Sequence, residues 1–190
     1  MDHADLVALL QGGVKAKGGR WADLGAGDGA FTFALADLLG PGAHITAVDR
    51  DAVSLRRLTS AIRIDPSPAP IETVVSDFTR PLNLSDLDGV VMANSLHFVR
   101  DKAPVLDSVH SMLRPGGTLI VVEYETDRGN PWVPHPFSFA TWMGMAASAG
   151  FEQTRLLHRH PSRHFGSMYS AASYAAARLR PLRGRSLPLP

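Results

Sequence analysis

Short apolar runs alternate with longer stretches of helical periodicity along the chain from Arg20 onward. Runs typical of strands cover residues 20–25, 44–49, 71–77, 87–95 and 118–125, and two later segments cover residues 152–160 and 165–176. Apolar residues at helical spacing cover residues 30–40, 51–64, 103–114 and 138–151. Alternating strands and helices form parallel sheets with helices on both faces, joined by right-handed crossovers. We therefore predict an α/β fold.

The composition of the chain excludes several classes of function but does not identify a single one. Nineteen basic side chains stand against 18 acidic ones, so the net charge of +1 gives no overall attraction to nucleic acid or to an anionic membrane. The absence of cysteine removes disulfides, thiolate nucleophiles and zinc–thiolate sites. The first residues lack the pattern of a signal peptide, and no apolar run approaches the roughly 20 residues of a membrane span. We expect a soluble, cytoplasmic protein.

The stretch "WADLGAGDGAF" turns the first predicted strand into the first helix, where α/β sheets bind ligands. Gly25, Gly27 and Gly29 allow positive φ and a close approach of a ligand to the backbone. The dinucleotide fingerprint Gly-x-Gly-x-x-Gly/Ala fits this stretch only loosely. Asp23, two residues before the first glycine, favours a cationic group, because a pyrophosphate gains nothing from an anion there.

Two further acids end the next two predicted strands. Asp49 follows Gly29 by 20 residues, a position from which an acid hydrogen-bonds ribose hydroxyls in several cofactor classes. Asp77 and Phe78 end the third strand in "VVSDFTRPL", and "LRPGGTLIVVEY" leads into the fifth. The four motifs together resemble those of class I S-adenosylmethionine-dependent methyltransferases over roughly residues 19–176.

This resemblance implies a Rossmann-like, mostly parallel seven-stranded sheet with helices on both faces and an antiparallel last strand. It implies S-adenosylmethionine as cofactor and S-adenosylhomocysteine as product. Residues 1–180 would form a single methyltransferase domain, with a capping helix in residues 1–18 that covers the cofactor and a flexible tail at 181–190. The cofactor-binding residues that it implies are Asp23, Gly25, Ala26, Gly27, Gly29, Asp49, Arg50, Asp77, Phe78 and Asn94.

Methyl transfer from a sulfonium is a direct displacement, so the protein mainly aligns the acceptor and excludes water. A general base helps only an acceptor that loses a proton, and His97 is the candidate. A histidine that merely caps a loop is the alternative. The long segment after the fifth strand, with three prolines and several aromatic residues, predicts a binding loop for a partly apolar or aromatic acceptor, unless its aromatics close the core instead. The predicted acceptor contacts are His97, Glu123, Tyr124, Trp132 and His135.

Some alternatives remain open at this stage. His158, His160 and His164 invite a metal site, but no acid or cysteine completes a ligand set, and we predict none. Arg163 and His164 are candidates for the rim of the acceptor pocket.

We expect a small-molecule acceptor, no membrane or nucleic-acid partner, and a monomer or homodimer. A cofactor-binding partner protein without transferase activity, an RNA or protein methyltransferase, and a nicotinamide-dependent oxidoreductase are the competing hypotheses. Seven arginines in the last quarter of the chain motivate the RNA hypothesis: Arg155, Arg159, Arg163, Arg178, Arg180, Arg183 and Arg185.

Overall fold

The computed structural model describes residues 1–177, so the predicted tail at 181–190 lies outside the described residues. Strands and helices alternate as the apolar pattern predicts. The elements are α1 (His3–Gln11), β1 (Gly19–Leu24), α2 (Ala30–Leu39), β2 (Ala43–Asp49), α3 (Ala52–Ile64), β3 (Ile71–Val75), β4 (Leu87–Ala93), a 3₁₀ turn (Leu96–Phe98), α4 (Ala103–Met112), β5 (Leu113–Tyr124), α5 (Phe139–Ser148), β6 (Phe151–Ser162) and β7 (Gly166–Ala175).

The seven strands form one sheet in the order β3-β2-β1-β4-β5-β7-β6. The first five strands in this order are parallel to one another, and β7 runs antiparallel to both β5 and β6. The Rossmann-like sheet with an antiparallel last strand is therefore confirmed. Because β1 to β5 are parallel, their carboxyl ends meet at one edge of the sheet, and the tip of the β6–β7 hairpin lies at the same edge, since Tyr124 pairs with Met168.

Helices cover both faces of the sheet. Val90 and Met92 of β4 pack into the cluster beneath α4 and α5, whereas Val91 and Ala93 pack against α1 and α2. Helix α3 adds a smaller cluster on the second face. A strand that is apolar on both faces, as β4 is, belongs in the centre of such a sheet.

Helix α1 begins with a capping box between Asp2 and Asp5 and buries Leu6, Leu9 and Leu10. These leucines join the cluster beneath α2, and the guanidinium of Arg155 in β6 donates a hydrogen bond of 2.6 Å to the carbonyl of Gly12. The predicted helix therefore exists, but it is held against a sheet face.

The segment "RPGG", which leads into the fifth predicted strand, is itself part of that strand. Helix α4 ends at Met112, and β5 begins directly at Leu113. Leu113 pairs with Leu87, whereas the next paired residue is Thr118 opposite Gly89, so the residues between them form a bulge in β5. The proline and glycines prevent regular pairing without ending the strand.

Candidate active site

The loop from β1 to α2 needs its glycines for steric reasons. Gly25 has φ 86°, and a Cβ there would overlap the Cβ of Ser95. Gly29 caps α2 with φ 91°, and a Cβ there would overlap Leu58. Both positions are in the left-handed region that favours glycine. Without side chains at these two positions, the loop backbone lies directly against Ser95 and Leu58. An open space remains on the outer side of the loop.

That space is a cavity of about 540 Å³ at the carboxyl ends of β1, β2, β3 and β4. Its volume lies within the usual range of ligand pockets, roughly 300–1,000 Å³. Seven predicted cofactor residues line it together. The lining residues are Gly25, Gly27, Asp49, Arg50, Asp51, Ser54, Asp77, Phe78, Thr79, Asn94, Ser95, Phe98 and Val99.

Asp49 fixes the geometry of the cavity from the end of β2. Its Oδ2 accepts a hydrogen bond of 2.8 Å from the amide of Gly27, and its Oδ1 accepts one of 2.8 Å from the amide of Asp51. One carboxylate thereby holds the glycine loop against the start of α3. A carboxylate has about four acceptor positions, so both oxygens retain capacity for a ligand hydroxyl.

Asp77 and Asp51 are held ionised at the cavity wall. The hydroxyl and the amide of Thr79 both donate to Oδ1 of Asp77, at 2.7 and 2.9 Å, and these bonds lower the pKa of Asp77. The pKa of Asp51 is lowered mainly by the amide of Val53, because Asp51 caps α3. Three carboxylates and one guanidinium thus line the cavity, and the excess of negative charge favours a cationic ligand.

Asn94 lines the cavity and carries a buried acceptor without a partner in the described structure. It follows β4 with φ 51°, a conformation that asparagine tolerates better than most residues, and its amide donates to the carbonyl of Val122 at 2.9 Å. Its side-chain Oδ1 is buried and has no hydrogen-bond partner among residues 1–177. Because unpaired buried polar atoms are rare and costly, this atom indicates a ligand that donates a hydrogen bond.

Asp23 lies beneath the loop rather than at the cavity wall. The carboxyl is 1% exposed and accepts a hydrogen bond of 2.6 Å from the hydroxyl of Thr32. Burial raises its pKa to about 6, the Thr32 bond opposes this, and the charge of Asp49 adds to it. Ala26 and Gly29 likewise do not contribute to the wall of the cavity. The predicted direct contact of Asp23 with a ligand is therefore not seen, although its charge lies close by.

His97 and Glu123, both predicted to touch the acceptor, form a buried pair. Nδ1 of His97 lies 2.9 and 3.1 Å from the two carboxylate oxygens, and the side chains are 3% and 0% exposed. Neither side chain lies on the cavity wall in this conformation. The pair instead joins the 3₁₀ turn after β4 to the end of β5.

The loop after β5 divides between solvent and core. Trp132 is 79% exposed, and Asn130 holds it by accepting bonds from the amides of Trp132 and Val133. Phe137 is buried, with its ring 5.7 Å from that of Trp142. Phe137 therefore closes the core, as the alternative expects, whereas binding of the acceptor by the exposed Trp132 stays a prediction.

A series of rings leads from the cavity to the β6–β7 hairpin. The His97 ring lies 4.3 Å from that of Phe98, which lines the cavity, and 6.0 Å from that of Tyr124. The Tyr124 ring in turn lies 5.0 Å from Phe165 and 6.5 Å from His164. Burial, with the charge of Glu123 as a second cause, raises the pKa of Tyr124. Its hydroxyl therefore stays protonated near neutral pH.

Comparison with known proteins assigns the family. A family model described as a methyltransferase domain matches residues 22–119, which is half of the chain. The chain belongs to this methyltransferase family. The resemblance to class I S-adenosylmethionine-dependent methyltransferases is thus confirmed, and the remaining question is what this methyltransferase domain acts on.

Similar proteins and a similar solved structure are also described as methyltransferases. The domain is 35% identical over 105 residues to an uncharacterized methyltransferase of Mycobacterium tuberculosis, covering 55% of this chain and 50% of that one. It is 32% identical over 113 residues to a ubiquinone biosynthesis O-methyltransferase of Xylella fastidiosa, covering 57% and 43%. The chain thus spans half or less of the length of these relatives. A SAM-dependent methyltransferase from Aquifex aeolicus has the same fold, with a TM-score of 0.71, 16% identity, and coverage of 93% of this chain and 100% of that one.

Six cavity residues of the methyltransferase were missed by sequence reasoning: Asp51, Ser54, Thr79, Ser95, Phe98 and Val99. Local sequence patterns could have identified three of these residues. Asp51 and Ser54 form a helix-cap pattern before α3, and Thr79 two residues after Asp77 is the pattern of an Asx turn. Ser95 and the residues of the 3₁₀ turn reach the cavity only through tertiary packing, which no local pattern marks.

The remaining predictions concern a metal site, a membrane span and the capping helix. Residues 1–177 contain no group of three or more His, Cys, Asp or Glu side chains that could hold a metal ion. His160 lies 3.8 Å from Asp5, and His164 lies beside Tyr124. In the described part of the chain, no helix has the length and apolar character needed to cross a membrane. Within that same part, α1 supplies no residue to the cavity, so the predicted capping helix does not cover it here.

Proposed function

We propose that the cavity binds S-adenosylmethionine and that the domain transfers the methyl group to a small, partly apolar or aromatic molecule. The gathering of the glycine loop, Asp49, Asp77 and Asn94 in one cavity carries the proposal. When bound, the cofactor supplies a methyl group already activated by a sulfonium. The chain itself then has to orient two molecules and exclude water.

The donors and acceptors of the cavity fit this cofactor. Oδ1 of Asn94 lacks a donor in the described structure, and an ammonium group supplies one. Asp49 offers its remaining acceptor positions to ribose hydroxyls, and Asp77 offers Oδ2 to an adenine amino group, with Phe78 against the base. Three carboxylates against one arginine disfavour a dinucleotide pyrophosphate, which would meet repulsion here.

The rings beyond the cavity support an apolar or planar acceptor. Tyr124 and Phe165, together with Phe98 at the cavity wall, offer aromatic surface between β5 and the β6–β7 hairpin. The hydroxyl of Tyr124 remains protonated and therefore serves as a donor that orients a polar atom of the acceptor. Trp132 is exposed on the loop after β5, and we expect its ring to close over such a molecule.

His97 is the proposed proton acceptor for substrates that lose a proton. With Nδ1–H donated to Glu123, Nε2 is the ring atom that accepts a proton. Glu123 fixes the tautomer, in the manner of other carboxylate–histidine pairs. Because the His97 side chain is 3% exposed, the acceptor must displace the neighbouring ring of Phe98, which is 57% exposed.

Calorimetry with S-adenosylhomocysteine tests the cofactor assignment. We expect the wild type to bind and Asp49→Ala to lose at least about tenfold in affinity, because both a ligand contact and the anchor of the loop disappear. Asp37→Ala is the matched control, since Asp37 is an exposed acid of α2 that pairs only with His3 among residues 1–177. Binding of NADH instead of S-adenosylhomocysteine, or no binding of either at millimolar concentration, would refute the proposal.

A second candidate is a cofactor-binding domain without transferase activity, and the burial of His97 and Glu123 favours it. Methyl transfer from labelled S-adenosylmethionine to a panel of phenols, quinols and apolar carboxylic acids separates the two. Transfer that falls in His97→Gln while S-adenosylhomocysteine affinity is kept supports the enzyme. Tight cofactor binding with no transfer to any member of the panel supports the second candidate.

A further inference from the structure

Lys102 is a largely buried lysine whose role the cofactor cavity does not explain. Its side chain is 8% exposed, whereas the other lysines of the chain, Lys15 and Lys17, are exposed. Nζ donates hydrogen bonds of 2.9 Å to the carbonyls of Val99 and His135. Since burial of an unpaired charge is costly, a lysine retained here with two carbonyl partners indicates a defined role.

The two carbonyls belong to different parts of the proposed site. Val99 lines the cofactor cavity, just after the 3₁₀ turn, and His135 lies in the loop that follows β5. The amide of His135 also donates to the carbonyl of His97 at 3.0 Å. Lys102 thus connects the cavity wall to the acceptor loop, and a backbone hydrogen bond beside it joins the same two segments.

Glu123 accounts for the positive charge at this position. Burial lowers the pKa of Lys102, and the negative charge of Glu123 opposes that effect. The carboxylate is fully buried and is paired with Nδ1 of His97. The ring of Phe137, also in the loop, lies 5.2 Å from Nζ. The charge of Glu123 therefore opposes the effect of burial on Lys102, while the hydrogen-bond partners of Nζ are the two carbonyls.

We propose that Lys102 is a positioning residue that couples occupancy of the cofactor cavity to the order of the acceptor loop, residues 125–138. A ligand that fixes the wall at Phe98 and Val99 also fixes the carbonyl that Lys102 holds, and through it the loop. The methyl acceptor then meets an ordered loop only after the cofactor is bound. This inference rests on the proposed function, because the ligand that fills the cavity is taken to be S-adenosylmethionine or its product.

Trp132 provides a direct measurement of the coupling. It is exposed on the loop, whereas Trp21 and Trp142 are 4% and 0% exposed, so acrylamide quenches mainly Trp132. We expect saturating S-adenosylhomocysteine to lower the quenching constant of the wild type by about twofold, since an ordered loop restricts access. In Lys102→Met, we expect binding of S-adenosylhomocysteine to persist while the ligand-dependent change in quenching disappears.

Lys17→Met is the matched control, because it makes the same chemical change at an exposed position outside the cavity, and it should behave as the wild type. A ligand-dependent change that survives in Lys102→Met overturns the coupling. If Lys102→Met does not fold, hydrogen exchange of the wild-type segment 130–138 replaces it. There, exchange at the His135 amide should slow on addition of S-adenosylhomocysteine, and an unchanged rate overturns the proposal. A wild type that binds no S-adenosylhomocysteine refutes the proposed function itself, and with it this inference.

Discussion

The buried carboxyl of Asp23 should make the domain less stable as pH rises through the weakly acidic range. Its pKa is raised from 3.8 to about 6, first by burial and then by the charge of Asp49, while the Thr32 hydroxyl opposes the shift. The folded chain therefore binds this proton more tightly than the unfolded chain. The stability that protonation contributes is complete below the unfolded pKa and is lost as pH rises through the folded pKa. At neutral pH the ionised, buried carboxylate costs about 3 kcal/mol.

Asp23→Asn removes the titration and keeps the shape of the side chain, and its amide oxygen still accepts from Thr32. We expect the free energy of unfolding of the variant, relative to wild type, to increase by about 2 kcal/mol between pH 4.5 and pH 7.5. Urea denaturation of both proteins at several pH values measures this difference, and the contributions of all other titrating groups cancel.

Thr32→Val provides a second test, because loss of the Thr32 hydroxyl removes the hydrogen bond that lowers the pKa of Asp23. In the Thr32→Val background, the stability difference between the chains with and without Asp23→Asn should then level off at a higher pH and reach a larger final value. A stability difference that stays flat from pH 4.5 to pH 7.5 would refute the burial argument.

We further expect Asp23→Asn to bind S-adenosylhomocysteine more weakly at pH 7.5, since a buried anion near the loop favours a cationic ligand. A variant that is more stable but binds less tightly is the result expected of a residue retained for function.

Four more substitutions test individual parts of the domain. Gly25→Ala should cost more than about 2 kcal/mol of stability by urea denaturation, because it adds a steric overlap to positive-φ strain, whereas Gly27→Ala, with open space around its Cβ, should cost about 1 kcal/mol. Tyr169→Phe should destabilise the domain by about 1–2 kcal/mol in thermal unfolding, since it leaves the buried carbonyl of Phe137 without its donor at 3.1 Å. Asn94→Ala should lose S-adenosylhomocysteine affinity by about tenfold in calorimetry while its stability changes by no more than about 1 kcal/mol, the strain expected of alanine at positive φ. Equal stabilities of the two glycine variants, or full affinity in Asn94→Ala, would contradict the corresponding assignment.

The residues that sequence reasoning placed well are those at strand ends. Gly25, Asp49 and Asp77 are the last residues of strands that the apolar pattern predicts, and parallel strands bring their carboxyl ends to one edge whatever the details of packing. Local spacing is therefore enough to gather them. The same reasoning fails for Asp23, because it is still within β1 and its side chain points into the packed interior rather than into the cavity.

The acceptor half of the site was harder to predict because it depends on contacts between residues distant in the sequence. His97 and Glu123 are 26 residues apart, and nothing near either of them indicates that they pair. Lys102 resembles an ordinary surface lysine at the start of a helix, yet its partner carbonyl at His135 is 33 residues away. Burial of charge is decided by such tertiary pairs, so a pattern of neighbours does not show it.

The difference between the cofactor residues at strand ends and the residues around the proposed acceptor site explains why family membership does not identify the methyl acceptor. The family match covers residues 22–119 and therefore contains the whole cofactor cavity, from Gly25 to Val99. It ends before Glu123, before the loop at 125–138 and before the β6–β7 hairpin that carries Phe165. The segments that surround the proposed acceptor site are thus the ones that the match does not include. A relative that methylates a particular oxygen or carbon informs the cofactor half of this domain, whereas its acceptor has to be established on the rings and the buried His97–Glu123 pair of this chain.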